Sequence, residues 1–294
     1  MGARTRAQKR SRAPAAGWMA AWTRRAAALA LLTLGSSVTL ACDGGPDADT
    51  PAERELVVFA ASSLREVFGA LGQAFTRSHP GVRVTFNFAG SQELRTQLEL
   101  GASADVFASA DEQQMETLAR AGQVETPVLF ARNELVLIVS TEARGLVTEL
   151  AQLPNAARVV IGAPEVPVGR YTLELLDRAE GSLGPGFRAR VLERVVSREL
   201  NVRQVLHKVS LGEAQAGLVY RTDALTAGGR VHLVSLTPEL RVQARYPIAR
   251  VSRGAQPELG RAFVALVRSS EGQRVLSAAG FLAEAGPDLP TEAP

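Results

Sequence analysis

A two-lobed α/β fold is predicted by three observations. Short apolar runs alternate with amphipathic stretches of helical period; the first of these follow one another as β-α-β-α-β-α; and a second set of the same kind ends in a strand that crosses back to the first. Glu55 to Ala60 (ELVVFA) reads as a buried strand, and Leu64 to Phe75 as a helix entered through Ser62-Ser63. Arg83 to Phe88 is the next strand, Gly90-Ser91 opens a helix through Leu100, Asp105 to Ser109 is a third strand and Glu112 to Ala121 a third helix. This order belongs to a parallel sheet with helices on its faces.

A second unit begins with the strand Glu134 to Ser140, followed by Arg158 to Gly162, a helix from about Arg170 to Ala179 and a strand at Val191 to Val196. A helix from Val202 to Leu211 and the strand Ala216 to Tyr220 complete it. Arg245 to Val251 crosses back, and helices at Glu258 to Ser269 and Gly272 to Ala278 finish the first unit. The expected division is 54–132 plus 245–283 for one lobe, 133–222 for the other, 223–244 as the return crossover and 284–294 as a frayed tail. Two such units make a clam whose cleft lies at the carboxyl ends of the strands.

The first 25 residues carry Arg4, Arg6, Lys9, Arg10, Arg12, Arg24 and Arg25 and no acid, and an apolar stretch from Ala26 to Leu34 follows. Residues 1–42 therefore read as a secretory signal, too short to span a membrane as a helix. Cys42 is the single cysteine, so no internal disulfide is possible. Thr39-Leu40-Ala41-Cys42 resembles the lipobox of bacterial lipoproteins, with Thr39 where leucine is usual, and Cys42 is the expected lipidation site. The alternative is a soluble periplasmic protein cleaved nearby. Residues 43–53 are rich in Gly, Pro and Asp and read as a tether that would hold the fold roughly 15–20 Å from an anchor.

Loss of the signal leaves 26 basic against 30 acidic side chains, a balance of −4 in place of the precursor's +3. The basic precursor thus gives no reason to expect nucleic-acid binding by the folded part. Only Lys9 and Lys208 are lysines, which reflects codon usage of a GC-rich genome. The 253 residues from Cys42 onward suffice for two lobes with cores of Leu, Val and Ala, aromatics being few.

Ser63, Ser91, Val168-Gly169 and Asn201-Val202 each stand where a turn runs into a helix, and none offers a charge at the turn itself. Helix amino ends carry unpaired N–H groups and a positive dipole end, so their convergence would suit one small anion. Each also has a purely structural reading. Ser63 with Glu66 makes a capping box, Ser91 with its following residues is equally a helix start, and Asn201 is a sound N-cap. Tyr220 either anchors a core edge or donates its hydroxyl to the cleft. Hydroxyls and amides without a cation favour a fully deprotonated oxyanion over hydrogen phosphate; Arg132 and Arg170 are expected to be solvated.

The runs VVFAASSL, FAGSQELRTQLELGASADVFASAD, RNELVLIV, GAPEVPVGRY and AGLVY, in this order, resemble the molybdate-binding proteins of ABC importers over about Leu56 to Phe281. The resemblance implies a type II periplasmic-binding-protein fold with two mixed, mainly parallel sheets flanked by helices and a ligand cleft between the lobes. It also implies molybdate or tungstate as ligand, held by hydroxyls and main-chain amides. The family's donors fall on Ser63, Ser91, Val168, Val202 and Tyr220, with Ser62 and Gly169 as possible additions; the loop before Val166 is one residue shorter here, with valine for alanine. Molybdenum enters as an oxyanion without direct metal ligands, and no cofactor is implied. The implied partner is an inner-membrane ABC permease with its ATPase, met by a monomer in the periplasm or on the outer face of the membrane.

Two other classes fit the sequence less well. A secreted serine hydrolase lacks G-x-S-x-G around Ser63 or Ser91, and His79, His207 and His232 have no triad context. A ligand-sensing transcription regulator is disfavoured by the export signal and by the lack of DNA-binding helices. Sulfate or another tetrahedral oxyanion on the same fold stays open.

Overall fold

A computed structural model describes residues 54–283 of the chain. The expected signal sequence, Cys42, the tether and the tail lie outside these residues.

Strand β1 (Arg54–Ala61) lies between β2 (Val82–Ala89) and β3 (Val106–Ala108), parallel to both. Helices α1 (Arg65–Ser78), α2 (Ser91–Glu99) and α3 (Glu112–Arg120) supply the crossovers. Next to β3 runs β9 (Gln243–Arg250), antiparallel, and next to β9 the long strand β4 (Val128–Ser140), again antiparallel.

β4 belongs to two sheets. Its first part, from Val128 to Glu134, pairs with β9, and its second, from Leu135 onward, pairs with β7 (Ala216–Tyr220) and β8 (Val231–Val234). Parallel strands β5 (Val159–Gly162) and β6 (Val195–Glu199) extend the second sheet from β7. Pairing is thus parallel at both flanks and antiparallel in the middle. The sequence reading began β4 at Glu134, six residues late, because polar Asn133 and Arg132 interrupt the apolar run. Asn133 is nevertheless fully buried and hydrogen-bonded.

Helix α4 (Pro167–Leu183) starts earlier than expected, with Pro167 at its first turn, where a missing N–H costs nothing. Val191 lies in α5 (Phe187–Leu192) and not in a strand; the valine run is split by the end of that helix, and β6 starts at Val195. Helix α6 (Val202–Ser210) agrees with expectation, and the return segment holds α7 (Arg221–Thr226) as well as β8. Helices α8 (Pro257–Arg268) and α9 (Ser270–Ala278) close the first half, and β10 (Leu282–Ala283) pairs with β4.

Alternation along β1 and β3 splits the first core in two. Val58, Ala60, Val106 and Ala108 face α1, α8 and α9, while Phe59 and Phe107 face Leu94, Leu98, Met115 and Leu118 of α2 and α3. Nine of the ten phenylalanines lie in this half, with Phe263 in edge contact with both Phe68 and Phe75. Only Phe187 lies in the other half, which is packed with Leu and Val as the composition suggested.

Candidate functional site

Six strands end at one place. Immediately beyond the carboxyl ends of β1, β2, β3, β5 and β6 come Ser62-Ser63, Gly90-Ser91, Ala110, Val166 to Val168 and Asn201-Val202, and β7 ends on Tyr220 itself. These residues line one small pocket that is partly open to solvent. Ser63, Ser91, Val168, Val202 and Tyr220, separated by up to 157 positions in the chain, are each at most 4% exposed and all line it. Ser62 lines it too. Gly169 is not among the lining residues: a Cβ there would lie 1.9 Å from the carbonyl oxygen of Ala163, so its bareness lets α4 close onto the end of β5.

The donors are prepared by what already occupies their other valences. At α6 the Asn201 side chain accepts from the amides of Arg203 (3.1 Å) and Gln204 (3.2 Å), so the cap is used on the second and third amides and not on the first, that of Val202, a residue that lines the pocket. At α4 the N-cap is Val166, which has no side-chain acceptor, and Pro167 has no N–H. Val168 therefore presents the first amide of that helix, at the positive end of its dipole. Ser91 Oγ accepts from the amide of Ala110 at 3.0 Å, which leaves its own proton free.

Ser63 does not form the capping box that its spacing to Glu66 suggested. Residues Ser62–Leu64 form a separate 3-10 turn, Glu66 pairs instead with Arg203, and Ser63 Oγ is hydrogen-bonded to the hydroxyl of Tyr246 at 3.0 Å. The Tyr220 hydroxyl is buried and has no hydrogen-bond partner within the protein, although its ring is fixed against Tyr171 and Tyr246. Burial pushes its phenol well above the ordinary value, so it stays a neutral donor.

No cation lines the pocket. The nearest in sequence are bound elsewhere. Arg170 is not solvated as expected: its Nε lies 3.2 Å from Oδ2 of fully buried Asp111, and its guanidinium lies over the ring of Tyr171. Burial raises the Asp111 carboxyl, opposed by the Gln114 amide and by Arg170. Arg203 pairs with Glu66 and, at 2.7 Å, with fully buried Asp223, whose carboxyl is pushed up to about 7 mainly by burial. Arg132 sits on β4 outside the pocket lining.

These pairs, with the Gln92 side chain donating to the Leu200 carbonyl at 2.8 Å, join elements of the first sheet to elements of the second around the pocket. Gly90 makes the closest approach; a Cβ there would lie 2.4 Å from the Leu200 oxygen. Sequence reasoning missed Ala110, Tyr246 and Asn133. Ala110 had a signal, since it follows a strand that ends where the others do. No histidine lines the pocket, and among the described residues no group of three or more His, Cys, Asp or Glu could hold a metal ion.

The family model described as bacterial extracellular solute-binding protein matches residues 56–282. The molybdate-binding protein ModA of Mycobacterium tuberculosis is 40% identical over 253 residues, 85% of this chain and 92% of that protein. The periplasmic molybdate-binding protein of Azotobacter vinelandii superimposes with a TM-score of 0.68 at 20% identity, over 78% of this chain and 100% of that one. The sulfate-binding protein SubI of Mycobacterium tuberculosis gives 0.70 at 18%, over 78% and 86%. At these identities the two structures speak for the fold alone.

Proposed function

Because the chain belongs to the bacterial extracellular solute-binding proteins, in the family of the molybdate-binding protein ModA, we propose that it captures molybdate, with tungstate as an equivalent ligand, and delivers it to an ABC importer. As a solute-binding protein it is not an enzyme. The observation that carries the ligand assignment is the single small pocket lined by the hydroxyls of Ser63, Ser91 and Tyr220 and by the helix starts at Val168 and Val202, with no cation and no carboxylate among its walls.

A dianion entering between the halves 54–132 plus 245–283 and 133–222 exchanges water for these oriented donors. Charge-assisted hydrogen bonds strengthen as the cleft closes and the local dielectric falls. Closure would turn on β4, the strand that both sheets share. Ser62 adds a hydroxyl at the wall and Gly169 a close helix approach. An unprotonated oxyanion can accept from every donor, whereas hydrogen phosphate brings a proton that would turn one of the wall hydroxyls from donor to acceptor. Sulfate shares charge and shape with molybdate and differs in radius. Cys42, once acylated, would hold the monomer on the outer face of the membrane beside the permease and its ATPase; a Cys42→Ser protein released into the soluble fraction would support that anchor.

Competition calorimetry on the mature fragment tests the ligand. Molybdate and tungstate should bind at least about a hundredfold more tightly than sulfate, with phosphate silent. Tighter binding of sulfate would transfer the site to that ligand, and no heat with any of the four would end the reading.

A further inference from the structure

Asp111 puts a carboxylate beside a pocket suited to an anion. It directly follows Ala110, a residue of the pocket wall, and it is fully buried without lining the pocket itself. Its Oδ1 accepts from the amide of Gln114 at 3.0 Å and so caps α3, while its Oδ2 faces Arg170 Nε at 3.2 Å. The next acid, Glu112, is held by Arg245 at 3.0 Å.

The two partners belong to opposite halves. Asp111 caps a helix of the first, and Arg170 lies in the first turn of α4 in the second, two residues after Val168, with its guanidinium 4.3 Å from the centre of the Tyr171 ring. A neighbouring contact crosses in the same place, from Gln114 Nε2 to the Glu165 carbonyl at 3.4 Å. While the halves are apart, water can answer the charge of Asp111. When they shut on a dianion, that carboxylate loses its water close to two further negative charges, and Arg170 is the group that arrives with the closing half. Left unpaired, Asp111 would meet the anion as a charge, which repels, or after taking a proton, which costs free energy at a pH well above the ordinary carboxylate range.

We propose that Arg170 is a positioning residue that serves the anion through Asp111: on closure it cancels the carboxylate beside the pocket, so that the shut site offers its donors without a competing negative charge. The inference rests on the molybdate reading and deepens it. An arginine of this kind is needed only as long as its acid is there, unlike one that attracts the ligand directly.

Four proteins test this by calorimetry with molybdate at pH 8: wild type, Arg170→Gln, Asp111→Asn and the double variant, each checked for cooperative melting. Asparagine at 111 keeps an oxygen for the Gln114 amide and carries no charge. Arg170→Gln should weaken binding about a hundredfold, the scale of loss when one partner of a buried charge pair is truncated. Asp111→Asn should cost less than about tenfold, and in its background Arg170→Gln should change affinity by less than about tenfold again. Removing the acid thus rescues the loss of the arginine, which a purely structural role for Arg170 would not allow.

A double variant more than about tenfold weaker than Asp111→Asn would overturn the inference, because the arginine would then act on the ligand without its acid. So would an Arg170→Gln protein within about tenfold of wild type, or an Asp111→Asn loss as large as that of Arg170→Gln, which would make the pair a latch and nothing more. Should Arg170→Gln not fold alone, the comparison of Asp111→Asn with the double variant decides by the same limit. Wild-type protein giving no heat with molybdate would instead sink the functional reading from which the inference starts.

Discussion

Replacing Tyr220 by phenylalanine should separate binding from folding. The ring is 1% exposed and lies 6.4 Å from Tyr171 and 5.8 Å from Tyr246 between centroids, contacts that phenylalanine preserves. Only the hydroxyl is lost, and it makes no hydrogen bond within the protein. Its removal should leave the ligand-free protein as stable as before, or more so, since an unsatisfied buried polar group costs about 1–3 kcal/mol.

With a dianion bound, the same change deletes a charge-assisted hydrogen bond of about 1.5–3 kcal/mol, roughly ten- to hundredfold in affinity. At a fixed, saturating ligand concentration that energy is subtracted from ligand-induced stabilisation. At about 2–4 °C per kcal/mol for a chain of this size, the rise in Tm caused by molybdate should shrink by about 3–12 °C. Scanning calorimetry with and without molybdate reads both quantities. A variant that melts lower when free yet keeps the whole ligand-induced rise would refute the reasoning, because the hydroxyl would then be serving the fold and not the anion.

Ser91→Ala should cost on both counts, since it strands the buried Ala110 amide as well as removing a donor: about 1–3 kcal/mol of stability in denaturant titration and about ten- to hundredfold in molybdate affinity. Gly90→Ala should spare the fold but block closure, because the added Cβ meets the Leu200 oxygen at 2.4 Å; a loss of affinity of about tenfold or more is expected, and unchanged affinity would mean that the halves need not meet there. Burial pushes the Asp223 carboxyl from its ordinary value of 3.8 up to about 7, so it holds its proton in the folded state to about that pH. Its favourable contribution is therefore complete below about pH 4 and is lost as pH rises through 7, a few kcal/mol in all at about 1.4 kcal/mol per unit. Asp223→Asn should flatten the fall in stability between pH 5 and 7.5, and an unaltered slope would assign that fall to other groups.

Strand order and the pocket walls were legible because both rest on local signals. An apolar run bounded by a turn with Gly or Ser marks a strand end, and in an open α/β sheet those ends share an edge. Ser63, Ser91, Val168, Val202 and Tyr220 could thus be named from their places after strands before any contact was known. What escaped depended on partners distant in sequence. Glu66 looked like a cap for Ser63 because it lies three residues on, but Arg203, 137 positions away, takes it. Asn133 looked like the end of a non-strand segment, since nothing local says that a buried asparagine will be satisfied by Thr222, 89 positions away. Arg170 looked solvated because its acid, Asp111, belongs to another helix start.

Why the pocket has no cation follows from where the nearby arginines are held. Arg170 and Arg203 come just after Val168-Gly169 and Val202, so either could have been directed at an anion. A guanidinium there would strengthen binding of any dianion through a Coulomb term that depends weakly on radius and not at all on protonation geometry. Each is committed instead to a fully buried acid, Asp111 or Asp223, and both reach across from the second sheet to the first, Arg170 through Asp111 and Arg203 through Glu66. Under the proposed function, the charges would act on closure and the dipoles on the ligand. On that reading, affinity would be set by how tightly the halves shut, and discrimination by donors whose other valences are taken by neighbours such as Ala110 and Asn201. Moving either arginine into the pocket would exchange selectivity for attraction.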